Sequence, residues 1–197
     1  MSLKATPGST SASSNFIVDE GTHLGILVKV IDLGIQERGK YLGKDLPNAA
    51  SLGLMFELPE VHVDGQEDKP AVLFKQVVRS ANEMSNLFSI AHALLGGSKA
   101  VDEKLKDEGI DAASLIGKAG LITVGRTSGD KAKIVSVSSL IKGMSVPKPK
   151  TAFMAFDLDH HTEDDLESLP KFVRDIISRR VVADKKLEIE DSDEVQF

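Results

Sequence analysis

Ser80-Ala81-Asn82-Glu83-Met84-Ser85-Asn86-Leu87-Phe88-Ser89-Ile90-Ala91-His92-Ala93-Leu94-Leu95-Gly96-Gly97 is a helical passage set among stretches that read as strands. Within it Met84, Leu87, Phe88, Ala91 and Leu95 recur at spacings of three and four, the mark of one apolar helix face. Ser80 stands three residues ahead of Glu83, the spacing of a capping box, and predicts where the helix begins. Gly96-Gly97 ends it.

Working outward, the segment before the helix holds three strand-like runs. His23 to Leu33 is apolar on both faces and rich in β-branched residues. Ser51 to Leu58 stops at Pro59, and Ala71 to Arg79 follows the polar turn Asp64-Gly65-Gln66-Glu67-Asp68. After the helix, Ser98 to Asp111 has room for a second short helix. Gly120 to Gly125 and Ala132 to Ser138 then read as two strands around the tight turn Thr127-Ser128-Gly129-Asp130. Three strands, a helix and two strands is the threading of an oligonucleotide/oligosaccharide-binding (OB) barrel. The expected fold is therefore α+β, mainly β: a five-stranded OB-like barrel with its helix between strands three and four. An α+β sandwich has the same order. A C-terminal helix and a disordered tail complete the expectation.

The expected organisation is a flexible, Ser/Thr/Gly/Pro-rich arm over 1–19 and the barrel over 20–145. A linker with an extra strand and a helix follows over 146–180, then an acidic tail over 181–197. Val146-Pro147-Lys148-Pro149-Lys150 is held extended by its prolines. Thr151 to Asp157 offers the strand, and Pro170 to about Arg180 the helix.

The chain has 197 residues, a net charge of −6 and no cysteine. The missing cysteine excludes thiol catalysis, disulfides and Cys-built zinc sites. No apolar run is long enough for a membrane span, and the N-terminus lacks a signal-peptide core. A soluble, cytoplasmic protein is expected, in the host cell if the chain is phage-encoded. The acidity is uneven: residues 1–156 carry a net +1 and residues 157–197 a net −7. A near-neutral body still accommodates a local basic groove, because nucleic-acid affinity depends on clustering of charge.

The chain ends Glu188-Ile189-Glu190-Asp191-Ser192-Asp193-Glu194-Val195-Gln196-Phe197, five carboxylates, no base and a terminal phenylalanine. Such a segment is too charged to bury a core. Its carboxylates suit a basic surface, and its terminal ring and carboxylate suit a small apolar pocket rimmed by Arg or Lys. An ordinary acidic terminus has the same composition.

Two resemblances bear on these segments. Glu20-Gly21-Thr22-His23, Ile31-Asp32-Leu33-Gly34, Phe56-Glu57-Leu58-Pro59, Lys75, Arg79-Ser80, Ser85-Asn86-Leu87, Gly143-Met144-Ser145-Val146-Pro147 and Phe156-Asp157-Leu158-Asp159 resemble a group of tailed-phage single-stranded-DNA-binding or replication-associated proteins. The likeness covers most of residues 20–178 through short motifs. The chain departs from the group's pattern after Lys75, where Gln76-Val77 stands in place of an aromatic. The acidic, Phe-tipped ending is independently similar to that of single-stranded-DNA-binding proteins of bacteria and tailed phages. These resemblances imply a non-enzymatic, cofactor-free protein of phage DNA replication or recombination. Its partners would be single-stranded DNA and a polymerase, helicase or recombinase, recruited through Glu190, Asp191, Asp193, Glu194 and Phe197.

Binding a single strand needs cations along the phosphates and rings for the bases. In an OB barrel the binding face is strands two and three, with the loops after strand one and between strands four and five. The candidates are Lys29, then Lys40, Tyr41 and Lys44 in the first loop. Lys75 and Arg79 lie on strand three, and Arg126, Lys131 and Lys133 around the last hairpin. Any one lysine is more often just a solvated surface charge; convergence onto the two expected loops is what carries the expectation. Tyr41, the sole tyrosine, is the stacking candidate, whereas Phe56 and Phe74 read as core. A homodimer or cooperative assembly is expected.

Two other functions fit the same chain. The barrel suits a protein-interaction or assembly module that never meets DNA. Asp157, Asp159, His160 and His161, with Asp164-Asp165 beyond, have the residue types to ligate Mn²⁺ or Mg²⁺ for phosphoester hydrolysis. The further acidic motifs of such enzymes are missing upstream, and an acidic linker accounts for the string. Gly129-Asp130-Lys131 is not a phosphate loop. His23, His62 and His92 stand isolated.

Overall fold

The computed structural model describes residues 18–63 and 66–182. Its elements in chain order are β1 (Gly21–Gln36), β2 (Lys40–Tyr41), β3 (Lys44–Asp45), β4 (Ala49–Val63), β5 (Gln66–Val78), α1 (Asn86–Leu94), α2 (Lys99–Glu108), a 3₁₀ turn (Ala113–Leu115), β6 (Ala119–Arg126), β7 (Ala132–Ser138), β8 (Met154–Phe156), α3 (Glu163–Glu167) and α4 (Lys171–Ser178). Setting aside the small hairpin β2–β3, the order of three strands, helices and two strands matches the sequence pattern. The expected arm up to residue 17 and the acidic tail from residue 183 lie outside the described residues.

The main sheet has the order β5-β4-β1-β6-β7, antiparallel throughout, with β8 added parallel to β1. The sheet is open, because no ladder joins β5 to β7 among the described residues. The fold is thus α+β with a mostly antiparallel sheet.

β1 organises the layers. It pairs β4 over Ile26–Gln36 on one edge, and on the other it pairs β6 over Gly21–Ile26 and then β8 over Lys29–Ile31. Register shifts against β4 at Leu27/Lys29 and Asp32/Gly34 bend the strand, as an extra residue on one side of a ladder does. Its Leu27 and Val30 join Leu54, Phe56, Leu58, Leu87, Phe88 and Ile122 in one core under α1. Its Ile26, Val28, Ile31 and Leu33 join Met55, Phe156, Leu169, Val173 and Ile177 in a second core under α4. This two-sided burial explains why the sequence of β1 is apolar without alternation. Gly25 is required here, since a Cβ would stand 2.3 Å from Ile122 Cγ1.

The start of α1 differs from the capping-box expectation. Ser85, not Ser80, is the N-cap, its hydroxyl accepting from Phe88 N–H at 3.1 Å. Ser80 instead accepts from Asn82 N–H in a turn, and Glu83 pairs with Lys106 at 3.1 Å. The reason lies in packing: Met84 is 95% exposed while Leu87 and Phe88 are buried, so the buried stripe begins one turn later. Among the described residues no helix is long and apolar enough to cross a membrane.

Glu57 on β4 is buried at 1% exposure and makes no ion pair among the described residues. Its carboxylate accepts from Lys150 N–H at 2.9 Å and Thr151 N–H at 2.6 Å, which fastens the proline-containing linker to the sheet. Glu57→Ala is expected to cost about 2–4 kcal/mol, because it leaves two amide donors without their acceptor in a partly buried place. Glu57→Gln, which keeps one carbonyl acceptor, is expected to lose less. Urea unfolding checks both; equal midpoints for wild type and Glu57→Ala would rule out this latch.

Candidate nucleic-acid interface

The candidate cations fall into separate groups. Lys40, Tyr41 and Lys44 sit on hairpin β2–β3, which forms a two-stranded sheet of its own. Its two-residue loop is Leu42-Gly43, with φ of +50° and +79°, the pair of positive φ values that a tight type I′ hairpin demands. Glycine meets that demand freely and leucine does not. The loop lifts Tyr41 and Leu42 into solvent at 66% and 86% exposure. Lys40 is drawn to Asp45 at 3.5 Å.

At the other hairpin, β6–β7, Thr127 shapes the turn. Its carbonyl accepts from Asp130 N–H at 3.0 Å and its hydroxyl from Lys131 N–H at 3.1 Å. Lys131 and Lys133 are exposed on β7 and its approach. Arg126 Nε lies 3.8 Å from Asp130, and Arg126 Nη1 is buried with no hydrogen-bond partner among the described residues. A buried guanidinium nitrogen without a partner is costly, and it is satisfied if an anion or water comes to it.

Lys75 occupies the gap between the free edges of β5 and β7. It opposes Leu54 in the β4–β5 register, so it shares a strand face with the core residues of the first cluster. Its Nζ donates to the Ile134 carbonyl at 2.8 Å, a side-chain bridge across the gap. Burial first, and the nearby charge of Lys133 second, hold the Lys75 amine below the ordinary lysine value. The fold thus brings Lys75 and Lys133 together at the gap, with Arg126 and Lys131 at the end of the same β6–β7 hairpin.

The remaining two candidates lie elsewhere. Lys29 is half-buried in the middle of β1, between Met55 and Met154. Arg79 pairs with Asp32 at 3.3 Å in a cleft of about 430 Å³ that also presents Asp111, Asp157 and Asp159. Four carboxylates against one guanidinium make that cleft hostile to phosphate.

The aromatic candidates divide as their sequence context suggests. Phe56 is fully buried, and Phe74 packs against the second core. What the sequence reading missed is Phe172 on α4, 47% exposed and edge-on to Phe74 at a centroid distance of 5.2 Å. Nothing local in the sequence signals that pair, because its partners belong to elements far apart in the chain.

Asp157-Leu158-Asp159-His160-His161 forms a turn ahead of α3. Asp157 accepts from Asp159 N–H at 2.9 Å and lies 3.1 Å from His160 Nδ1, and these contacts, the backbone one first, lower its pKa. His161 donates to the Leu158 carbonyl and rests against Phe156 at 4.9 Å. Thr162 and Asp165 complete a capping box for α3. Among the described residues no group of three or more His, Asp or Glu side chains is gathered to hold a metal ion.

Neither the models of known protein families nor the curated proteins match this chain.

The position of Lys75 has a pH signature. Between its lowered folded value and the ordinary 10.5, the folded protein has released a proton that the unfolded chain still holds. Stability is therefore expected to rise with pH across that window. Denaturant midpoints should show the rise in wild type and a flatter profile in Lys75→Met. In ¹⁵N-detected titration of the lysine amines, Lys133→Gln should move the Lys75 value upward; an unchanged value would disprove their proximity.

Proposed function

We propose that this protein binds single-stranded DNA without sequence preference, on an OB-like barrel, in phage DNA replication or recombination. The observation that carries the reading is strand connectivity: β5-β4-β1-β6-β7, with α1 and α2 inserted between the third and fourth long strands. That is the connectivity of an OB barrel whose remaining gap lies between strands three and five. In this chain the gap is bridged by the Lys75 side chain. The two loops that OB barrels use for ligands correspond to hairpin β2–β3 and the β6–β7 turn, and both carry cations.

The mechanism is mainly electrostatic. Lys75, Lys131, Lys133 and Arg126 follow the phosphates, with Lys40 and Lys44 on the opposite loop, and Tyr41 supplies a ring for stacking. Each stacked base is worth roughly 1–3 kcal/mol, so a chain with few exposed rings depends on phosphate contacts. The acidic residues 188–197, which lie outside the described residues, are read as a recruiter of polymerase, helicase or recombinase. They also compete with DNA for the cations. No catalytic residue, metal or cofactor enters the proposal, and a homodimer or cooperative assembly is its expected working form.

One observation favours a second reading, a protein-interaction module. Residues 150–177 of the same chain cover the outer face of β4 at Met55 and Glu57 and reach β5 at Phe74, while Val72 and Gln76 on β5 stay exposed. The metal-dependent phosphoesterase reading has less support, because Asp157 and His161 are engaged in the turn before α3.

The test is titration of the full chain and of a 1–187 truncation with fluorescent oligo(dT) and a matched duplex across a salt series. Preference for the single strand, a steep loss with salt and tighter binding by the truncation are expected. Log affinity should fall against log salt with a slope of about −0.7 for each phosphate neutralised. Absence of binding at low salt by either form would favour the interaction module; equal or weaker binding by the truncation would remove the competing role of the tail.

A further inference from the structure

In the barrel reading a single strand approaches the outer face of β4 and β5, and α4 stands over the β4 side of that face. Met55 is buried with Leu169, Val173 and Ile177, and Phe74 is edge-on to Phe172. Val173 and Ile177 form the buried stripe of α4. On another side Lys171, Arg174, Asp175 and Ser178 recur at spacings of three and four and share a face. Lys171, Arg174 and Arg180 line a cleft of about 390 Å³ with Asp175 as its acid. Lys171 Nζ donates to Asp175 at 2.8 Å. The Lys171 hydrogen bond, and then the charges of Lys171, Arg179 and Arg174, hold the Asp175 carboxyl below the usual range. Asp175 is therefore ionised at neutral pH and offsets one of three cations, so a positive excess remains on the helix face. Phe172, next to Lys171 in the chain, lies about a quarter turn round the helix from that residue, against Phe74, and presents a partly free ring.

We propose that α4 and the residues just after it form a second contact edge for single-stranded DNA, with Lys171, Arg174 and Arg180 on backbone phosphates and Phe172 against a base. This rests on the single-strand reading above and adds residues that the strand-and-loop candidates do not include. Cations that follow the phosphates, here Lys171 and Arg174 one turn apart on α4 with Arg180 just past its end, together with an exposed ring are what sequence-tolerant binding of single strands uses.

The chain has no tryptophan, so Phe172→Trp installs a sole indole at the proposed stacking position. Titration of this full-length variant with oligo(dT) is expected to quench its fluorescence in a saturable way, and a matched duplex is expected to quench far less. Lys171→Glu with Arg174→Glu, both at exposed positions, is expected to raise Kd at least tenfold. It should also flatten the salt slope by about 1.4, two phosphates at roughly 0.7 each. The pair Lys171→Arg and Arg174→Lys should bind as wild type does, which separates loss of charge from loss of fold.

Unchanged affinity and slope in the Glu pair, with Lys131→Glu/Lys133→Glu impaired, would overturn the role of α4 and leave the single-strand reading standing. An unquenched Phe172→Trp that still binds would overturn the stacking contact. Failure of wild type to bind oligo(dT) at low salt would overturn both readings together.

Discussion

β1 uses both edges and both faces, and the rest of the fold follows from that. Ile26–Gln36 hold β4 on one edge, while the other edge passes from β6 to β8 within a few residues. An antiparallel and a parallel neighbour cannot occupy the same stretch, so one must end before the other begins. The bulge between Leu27 and Lys29 falls at that handover, and a bulge increases both bend and twist. The side chains divide likewise: Leu27 and Val30 enter the core under α1, and Val28, Ile31 and Leu33 the core under α4. The C-terminal segment is consequently part of the core of the molecule. Each of Phe156, Leu169, Val173 and Ile177 removes a large apolar side chain from water, worth about 1.5–3 kcal/mol apiece before entropy is charged against it.

The same arrangement bears on where the proposed ligand would meet the protein. Once residues 150–177 lie on the outer face of β4, a carboxylate there is out of reach of water and ions. Glu57 is in that position, and backbone amides of Lys150 and Thr151 take the place of a cation. A strand face held this way is a foundation for the helix above it. For the proposed single strand, the cation-bearing positions outside that cover are the β6–β7 hairpin, the gap bridged by Lys75, the β2–β3 loop and the outer side of α4.

Much of the fold was legible in the chain, and the misses have physical causes. The centres of the long strands could be read because β-branched and apolar residues run together there. Their ends could not: β1 reaches back to Gly21 and on to Gln36 because β6 and β4 supply hydrogen bonds that no local pattern announces. Ser80 and Ser85 are both competent caps, and the choice fell to Ser85 because Leu87 found a core and Met84 did not. For the site, types of side chain were legible and their partners were not. Arg79 reads as a groove cation until Asp32 arrives from β1, and Lys75 as a surface lysine until β7 brings the Ile134 carbonyl. The pairing of Phe172 with Phe74 was invisible because the two residues lie on elements far apart in the chain.

Pairing also orders the cations by what they offer a phosphate. Lys40 and Arg79 already face carboxylates, and a phosphate would have to displace Asp45 or Asp32 before it gained the charge. Exposed pairs are worth little, so the exchange is possible, but its net gain is correspondingly small. Lys75, Lys131 and Lys133 have no carboxylate at ion-pair distance among the described residues. Burial first, and then the neighbouring Lys133, disfavour the charge of Lys75. An incoming phosphate relieves the repulsion from Lys133 and releases counterions at once. The Arg126 nitrogen without a partner lies on the same hairpin. For the proposed binding of a single strand, the local clustering of cations that lack carboxylate partners matters more than the chain's net charge of −6.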